Sequence, residues 1–230
     1  MIKTINISKK LKFIVMHNSI KNLTYIKDKI KDVANTAPII IAVSKTFEQK
    51  DILPLLDFGH QHFGENKVKE ALDKWQDLKK ENQNIKLHFI GKLQTNKVKF
   101  CLPLFDYIHS LDNLKLAEKI SSQQIKSNFK PKIFVQINIG NEIQKNGINI
   151  NELQNFLKEC KTNLDLDIIG LMCIPPNENN IVKYFEEMNR LNKKFNLKEL
   201  SMGMSGDYIE AINHGATFVR IGSKIFGQRI

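Results

Sequence analysis

Residues 39–45 read Ile39-Ile40-Ile41-Ala42-Val43-Ser44-Lys45, five apolar and mostly β-branched residues followed at once by a serine and a lysine. An unbroken apolar run of this length predicts a strand covered on both faces, the habit of parallel sheets. Outward from it the pattern repeats. A helical stretch around residues 18–34 precedes it, and seven further apolar bursts follow at His62-Phe63, Leu87–Ile90, Tyr107-Ile108, Ile133–Ile139, Ile168–Met172, Leu200–Met202 and Phe218–Ile221. Between them, sets such as Leu114, Ala117, Ile120 and Tyr184, Phe185, Met188, Leu191 carry the three-to-four spacing of helices with one apolar face. Eight such alternations without a long linker predict an α/β chain forming a single (β/α)8 TIM-like barrel over residues 1–230, with residues 1–36 a leading segment that includes a helix. The bursts at 62–63 and 107–108 are short, and an open sheet with fewer strands satisfies the same pattern.

Composition narrows the function classes. The 230 residues are 42% hydrophobic and 26% charged with a mean hydropathy of -0.30, which excludes a membrane-dominated, collagenous or disordered chain. Thirty-five Lys+Arg against 24 Asp+Glu give a net charge of +11, compatible with nucleic acid, an anionic membrane surface or a phosphorylated small ligand. Three of these cations are arginines, Arg190, Arg220 and Arg229, although arginine is the residue suited to bidentate phosphate and guanine contacts. The lysines are scattered, and clusters such as Lys9, Lys10, Lys12 or Lys79, Lys80 read as solvated faces, so no nucleic acid is expected. Cys101, Cys160 and Cys173 have neither disulfide-framework nor zinc spacing, which fits a reducing compartment. The apolar run Phe13–Met16 near the start is too short for a signal core or a span, so a cytoplasmic location without membrane attachment is expected.

In a barrel the loops after the strands build the active face. Lys45 sits at the mouth of the first strand, where desolvation lowers a lysine's pKa and suits it to imine formation, though it also reads as one more surface lysine. After the seventh and eighth strands come Ser201-Met202-Gly203-Met204-Ser205-Gly206-Asp207 and Phe218-Val219-Arg220-Ile221-Gly222-Ser223, both ending in small residues that open helices. Loops at this pair of strands are a frequent phosphate site, with Ser205 and Ser223 as donors and Gly206 and Gly222 allowing close backbone approach; simple helix capping explains the serines equally. A lysine and a phosphate cradle on one face suggest pyridoxal 5'-phosphate.

The stretches Ala42-Val43-Ser44-Lys45, Phe63-Gly64-Glu65-Asn66, His88-Phe89-Ile90-Gly91 with Leu93-Gln94-Thr95-Asn96-Lys97, Gly170-Leu171-Met172 with Ile174-Pro175, Ser201–Ser205 and Val219–Gly222 resemble, in order, the pyridoxal phosphate homeostasis protein family, also called the proline synthase co-transcribed family. The resemblance covers residues 39–227. It implies a fold-type III barrel similar to the N-terminal domain of alanine racemase, with Lys45 as the imine lysine and Ser205, Gly206, Gly222 and Ser223 holding the phosphate. Arg220 would face the pyridine nitrogen, and Asn66 would lie near the ring. Lys145, in Glu142-Ile143-Gln144-Lys145-Asn146-Gly147, falls at a loop lysine associated with cofactor handling. The departures, Leu87 for Trp, Lys92 for Pro and Asn146 for Ser, leave these anchors in place.

A guanidinium beside the ring nitrogen keeps that nitrogen unprotonated and the ring a poor electron sink. Two-base racemisation also needs a second acid/base on the opposite face, which alanine racemase draws from an added C-terminal β-domain. The chain stops at Ile230, a few residues past the eighth strand, so that domain is not expected. Tyr208 and Cys173 are weak substitutes. The expected function is storage, buffering or delivery of pyridoxal phosphate to apo-enzymes by a monomer or weak dimer without catalytic residues or metal; the alternative is a weak amino-acid racemase.

Overall fold

The computed structural model describes residues 16–142 and 144–228; Arg229, the Lys9–Lys12 cluster and the rest of the first fifteen residues lie outside them. Eight parallel strands close into a barrel in chain order: β1 (Ile39–Val43), β2 (His62–Glu65), β3 (Lys86–Phe89), β4 (Tyr107–Leu111), β5 (Lys132–Ile137), β6 (Asp167–Cys173), β7 (Glu199–Met204) and β8 (Phe218–Ile221). Closure is made by β1 against β8, with Ile41 beside Arg220 and Ala42 beside Ile221. This is the expected barrel, and the open-sheet alternative falls.

Around it run α1 (Asn18–Lys31), α2 (Gln49–Asp57), α3 (Val68–Glu81), α4 (Val98–Cys101), α5 (Leu114–Ser127), α6 (Leu153–Lys158), α7 (Val182–Lys194), α8 (Tyr208–Asn213) and α9 (Ser223–Phe226). Strand alternation divides the apolar residues into two cores. Outward positions such as Ile40, Ala42 and Phe63 pack under the helices with Leu55, Trp75 and Ile225. Inward positions, Ile41, Tyr107, Phe134, Met172 and Phe218, fill the barrel. The leading helix α1 buries Leu23, Ile26 and Ile30 and lies against α9, where Asn22 Nδ2 donates to the Ile225 carbonyl at 3.0 Å.

The barrel interior is not wholly apolar. His88, His109 and Ser201 point inward with no exposed surface, joined by His62 Nδ1 to His88 Nε2 at 2.9 Å, His88 Nδ1 to His109 Nε2 at 2.9 Å and His109 Nδ1 to Ser201 Oγ at 2.8 Å. The rings stack on aromatic neighbours, His88 on Tyr107 at 4.2 Å and His109 on Phe134 at 4.3 Å between centroids. Buried polar atoms are tolerated when they bond one another, and this row does so strand to strand. Among the described residues no helix is long and apolar enough to cross a membrane, and no cluster of three His, Cys, Asp or Glu could hold a metal ion.

Candidate functional site

The carboxyl ends of β1, β7 and β8 meet over one cleft of about 550 Å³. Lys45, Ser205, Gly206, Arg220, Gly222 and Ser223 all line it, so six of the eight residues singled out in the sequence come together. Val43, Ile90, Ile174 and Met204 supply apolar walls. The bulk of the chain's positive charge lies elsewhere, and the floor is built from hydroxyls, bare backbone and a single guanidinium.

Gly203 directs the chain over this cleft. Its φ of 88° bends β7 where the register with β8 shifts, and a Cβ there would stand 2.6 Å from that of Ala211. Beyond the bend, Ser205 reaches the start of α9: its Oγ accepts from the backbone N–H of Gly222 at 3.3 Å and of Lys224 at 3.4 Å. Ser205 thus caps the neighbouring helix rather than its own, α8, which is preceded by Asp207. Neither glycine of the cradle is demanded by the protein's own packing. A Cβ at Gly206 would meet nothing within 4 Å, and one at Gly222 would touch Val43 at an ordinary 3.4 Å. The room beside Gly206 is open cleft, which a side chain would fill and a ligand oxygen can approach.

Lys45 follows β1 directly and is half-buried. The residues on either side of it, Ser44 and Thr46, are tied to a charged cluster of Glu65, Glu70 and Lys74 that sequence reasoning missed; Glu65 was read only as part of a motif. Spacing within one segment does not signal it, because the contacts join the end of β1 to β2 and α3.

Arg220 is buried and donates through Nη1 to Ser201 Oγ at 2.6 Å and through Nη2 to the Cys173 carbonyl at 2.8 Å, neutral oxygens rather than a carboxylate. Burial lowers its pKa from the usual arginine value, with Cys173 and Asp207 opposing the shift. Because a guanidinium can only donate, Ser201 accepts from it. In each link of the row beyond, one polar atom donates and the other accepts, as neutral imidazoles and a hydroxyl can. Burial holds both His88 and His109 well below the ordinary histidine pKa, their cationic neighbours adding to it, so the rings are neutral.

Asn66 and Lys145 do not line the cleft. Asn66 follows β2 with its Oδ1 buried and without a hydrogen-bond partner among the described residues, and its backbone is pressed against Gly91, where a Cβ would come within 2.2 Å of the Asn66 oxygen. Lys145 pairs with Glu142 and donates to the Pro175 carbonyl at 3.4 Å, which ties its loop to the residue after Ile174 of the cleft wall. Cys173 is fully buried with its thiol pushed up to about 12 by burial, and Tyr208 is 4% exposed with a pKa raised by burial. Neither is poised as a base at neutral pH.

An aldehyde-bearing aromatic phosphate fits this donor set: an amine at one end, amide and hydroxyl donors at the other, a buried guanidinium between and an unpartnered amide oxygen nearby. Comparison with known proteins points the same way. The family model for the alanine racemase N-terminal domain matches residues 17–230. The pyridoxal phosphate homeostasis protein of Aquifex aeolicus is 36% identical over 199 residues, 83% of this chain and 86% of its own. The solved structure of PipY from Synechococcus elongatus PCC7942 with pyridoxal phosphate bound has a TM-score of 0.80 at 30% identity, covering 91% of this chain and 100% of PipY. Alanine racemase from Bartonella henselae with covalently bound pyridoxal phosphate has a TM-score of 0.69 at 16% identity, a likeness of fold, over 92% of this chain and 61% of the racemase chain.

Proposed function

Since the chain belongs to the alanine racemase N-terminal domain family and, within it, to the pyridoxal phosphate homeostasis proteins, we propose that it binds pyridoxal 5'-phosphate in the β1/β7/β8 cleft and stores, buffers or delivers it. The observation that carries this reading is the convergence of Lys45, Arg220 and the Ser205/Gly222 cradle on one cleft from opposite ends of the chain. When bound, the cofactor supplies an aldehyde that an amine can hold and a ring that can take up electron density. Lys45 is the amine. Ser205, Gly206, Gly222 and Ser223 hold the phosphate through hydroxyls and backbone N–H groups, and the apolar walls exclude water from the ring.

Arg220, a donor fixed by Ser201 and the Cys173 carbonyl, would donate to the ring nitrogen and so disfavour its protonation, which would weaken the ring as an electron sink. Asn66, through its buried Oδ1, would act near the ring, and Lys145, on the loop next to Pro175, would handle the cofactor during exchange. Cys173 and Tyr208, the candidate substitutes for the second base of a racemase, both have pKa values raised by burial, which favours a carrier. The chain acts as one domain and as a monomer or weak dimer in the cytoplasm, where its three buried thiols stay reduced, and its recipients are apo-enzymes rather than nucleic acid or membrane.

Incubation with pyridoxal phosphate should give the absorption band of the lysine-bound cofactor, absent in Lys45→Ala, and loaded protein should reactivate an apo-enzyme. A protein that takes up no cofactor sinks the reading. Lys45-dependent exchange of an amino acid's α-proton with solvent deuterium would replace it with the racemase.

A further inference from the structure

The aim of Lys45 depends on the backbone it grows from, because its amine stands at the end of four rotatable methylenes. That backbone is held on both sides by groups outside the cleft. On one side Ser44 donates its N–H to the Gly64 carbonyl at 3.0 Å and its hydroxyl to Glu65 Oε1 at 2.7 Å, while its carbonyl accepts from Lys74 Nζ at 2.8 Å. On the other, Thr46 donates its N–H to Glu70 Oε1 at 2.6 Å and has a φ of 70°, the left-handed region that a β-branched residue rarely adopts. Such a conformation persists where its surroundings enforce it.

Lys74 joins the two sides. Its ammonium has three protons, and its Nζ reaches three acceptors: the Ser44 carbonyl, Glu65 Oε1 at 3.0 Å and Glu70 Oε1 at 3.2 Å. Glu65 is fully buried, takes a further bond from Trp75 Nε1 at 2.9 Å, and leaves Oε2 without a hydrogen-bond partner among the described residues. A buried ion pair is a poor way to gain stability, since its desolvation can outweigh its attraction. Its location, clasping the residues before and after one lysine, gives it a different use.

We propose that Lys74, with Glu65 and Glu70, is a positioning group for Lys45, fixing Ser44 and Thr46 so that the Lys45 amine is directed at the cofactor's carbonyl carbon. This rests on Lys45 being the cofactor lysine. The cluster acts on capture by the amine and not on the phosphate grip, which belongs to the far side of the cleft.

Two ligands separate these effects: pyridoxal phosphate, which the amine can capture, and pyridoxamine phosphate, with the same ring and phosphate but no carbonyl. In Lys74→Met the capture rate, read from the absorption band, should fall roughly ten- to a hundredfold while pyridoxamine phosphate affinity holds. Should Lys74→Met fail to fold, Glu70→Ala removes the Thr46 arm and the Glu70–Lys74 pair from a partly exposed site, leaves Lys74 on Ser44 and Glu65, and should slow capture in the same direction. Glu70→Gln, which keeps an acceptor oxygen, should restore it. Capture at the parent rate in these variants, or a parallel loss of pyridoxamine phosphate binding, would overturn the proposal. Acetylation of Lys45 by acetic anhydride against pH, read by mass spectrometry without any ligand, gives a test independent of the cofactor. A changed profile in the variants supports positioning even if Lys45 proves not to be the cofactor lysine, and an unchanged profile ends it.

Discussion

Arg220 and Ser201 form one unit: the guanidinium has fixed neutral acceptors, and the hydroxyl that receives from it is also hydrogen-bonded to His109 Nδ1. Ser201→Ala would strand a buried donor and a buried ring nitrogen, so the midpoint of urea unfolding should fall by the equivalent of about 1–3 kcal/mol, with a weaker cofactor grip at Arg220. The cleft residues legible in the sequence were those whose meaning depends on position at a strand end: Lys45 after β1, Ser205 after β7, Gly222 and Ser223 after β8. What Ser44, Glu65 and Lys74 do depends on a contact between a strand and the helix after the next strand. Spacing within one segment carries no trace of that. Asn66 and Lys145 were named through resemblance, and the geometry leaves them beside the cleft rather than in its wall.

Among the elements, β1 and β8 were read with their observed bounds: β1 is apolar throughout, and β8 is apolar apart from Arg220. The bursts at 62–63 and 107–108 were short for a physical reason. Strand β4 continues through His109 and Ser110, both buried, and β2 through Gly64 and the buried Glu65; glycine and buried polar side chains interrupt the apolar signal although the ladder runs on. Local patterns assume that inward means apolar, and the imidazole row breaks that assumption. Strand β7 likewise runs past the predicted Met202 to Met204, through the bend at Gly203. Gly203→Ala would combine left-handed strain with a clash against α8, costing about 2–4 kcal/mol. Because the bend aims Ser205, cofactor titration of this variant should show lost affinity beyond what the unfolding midpoint explains.

For the molecule as a whole, the neutral rings make stability depend on acidity. Burial depresses the pKa of His60 to about 4 and those of His88 and His109 well below the usual value, whereas in the unfolded chain each titrates near 6.5. The unfolded state therefore gains protons first as pH falls. The stability these histidines contribute is intact above about pH 6.5 and shrinks below it, by up to about 1.4 kcal/mol per pH unit for each ring. Urea unfolding at pH 7.5, 6.5 and 5.5 should show this decline, shallower by about one proton in His60→Phe; a flat profile would mean that the rings are charged in the fold. The closure of β1 on β8 has a consequence for how the chain becomes competent. Lys45 follows the first strand of the ring and Arg220 lies on the last, and the two meet only where the ring's seam is joined. On the proposed assignment, holding a ligand requires the closed seam, and a molecule bridging it acts as a clasp: a loaded chain is one whose first and last strands have found each other, and its reopening is expected to be slower.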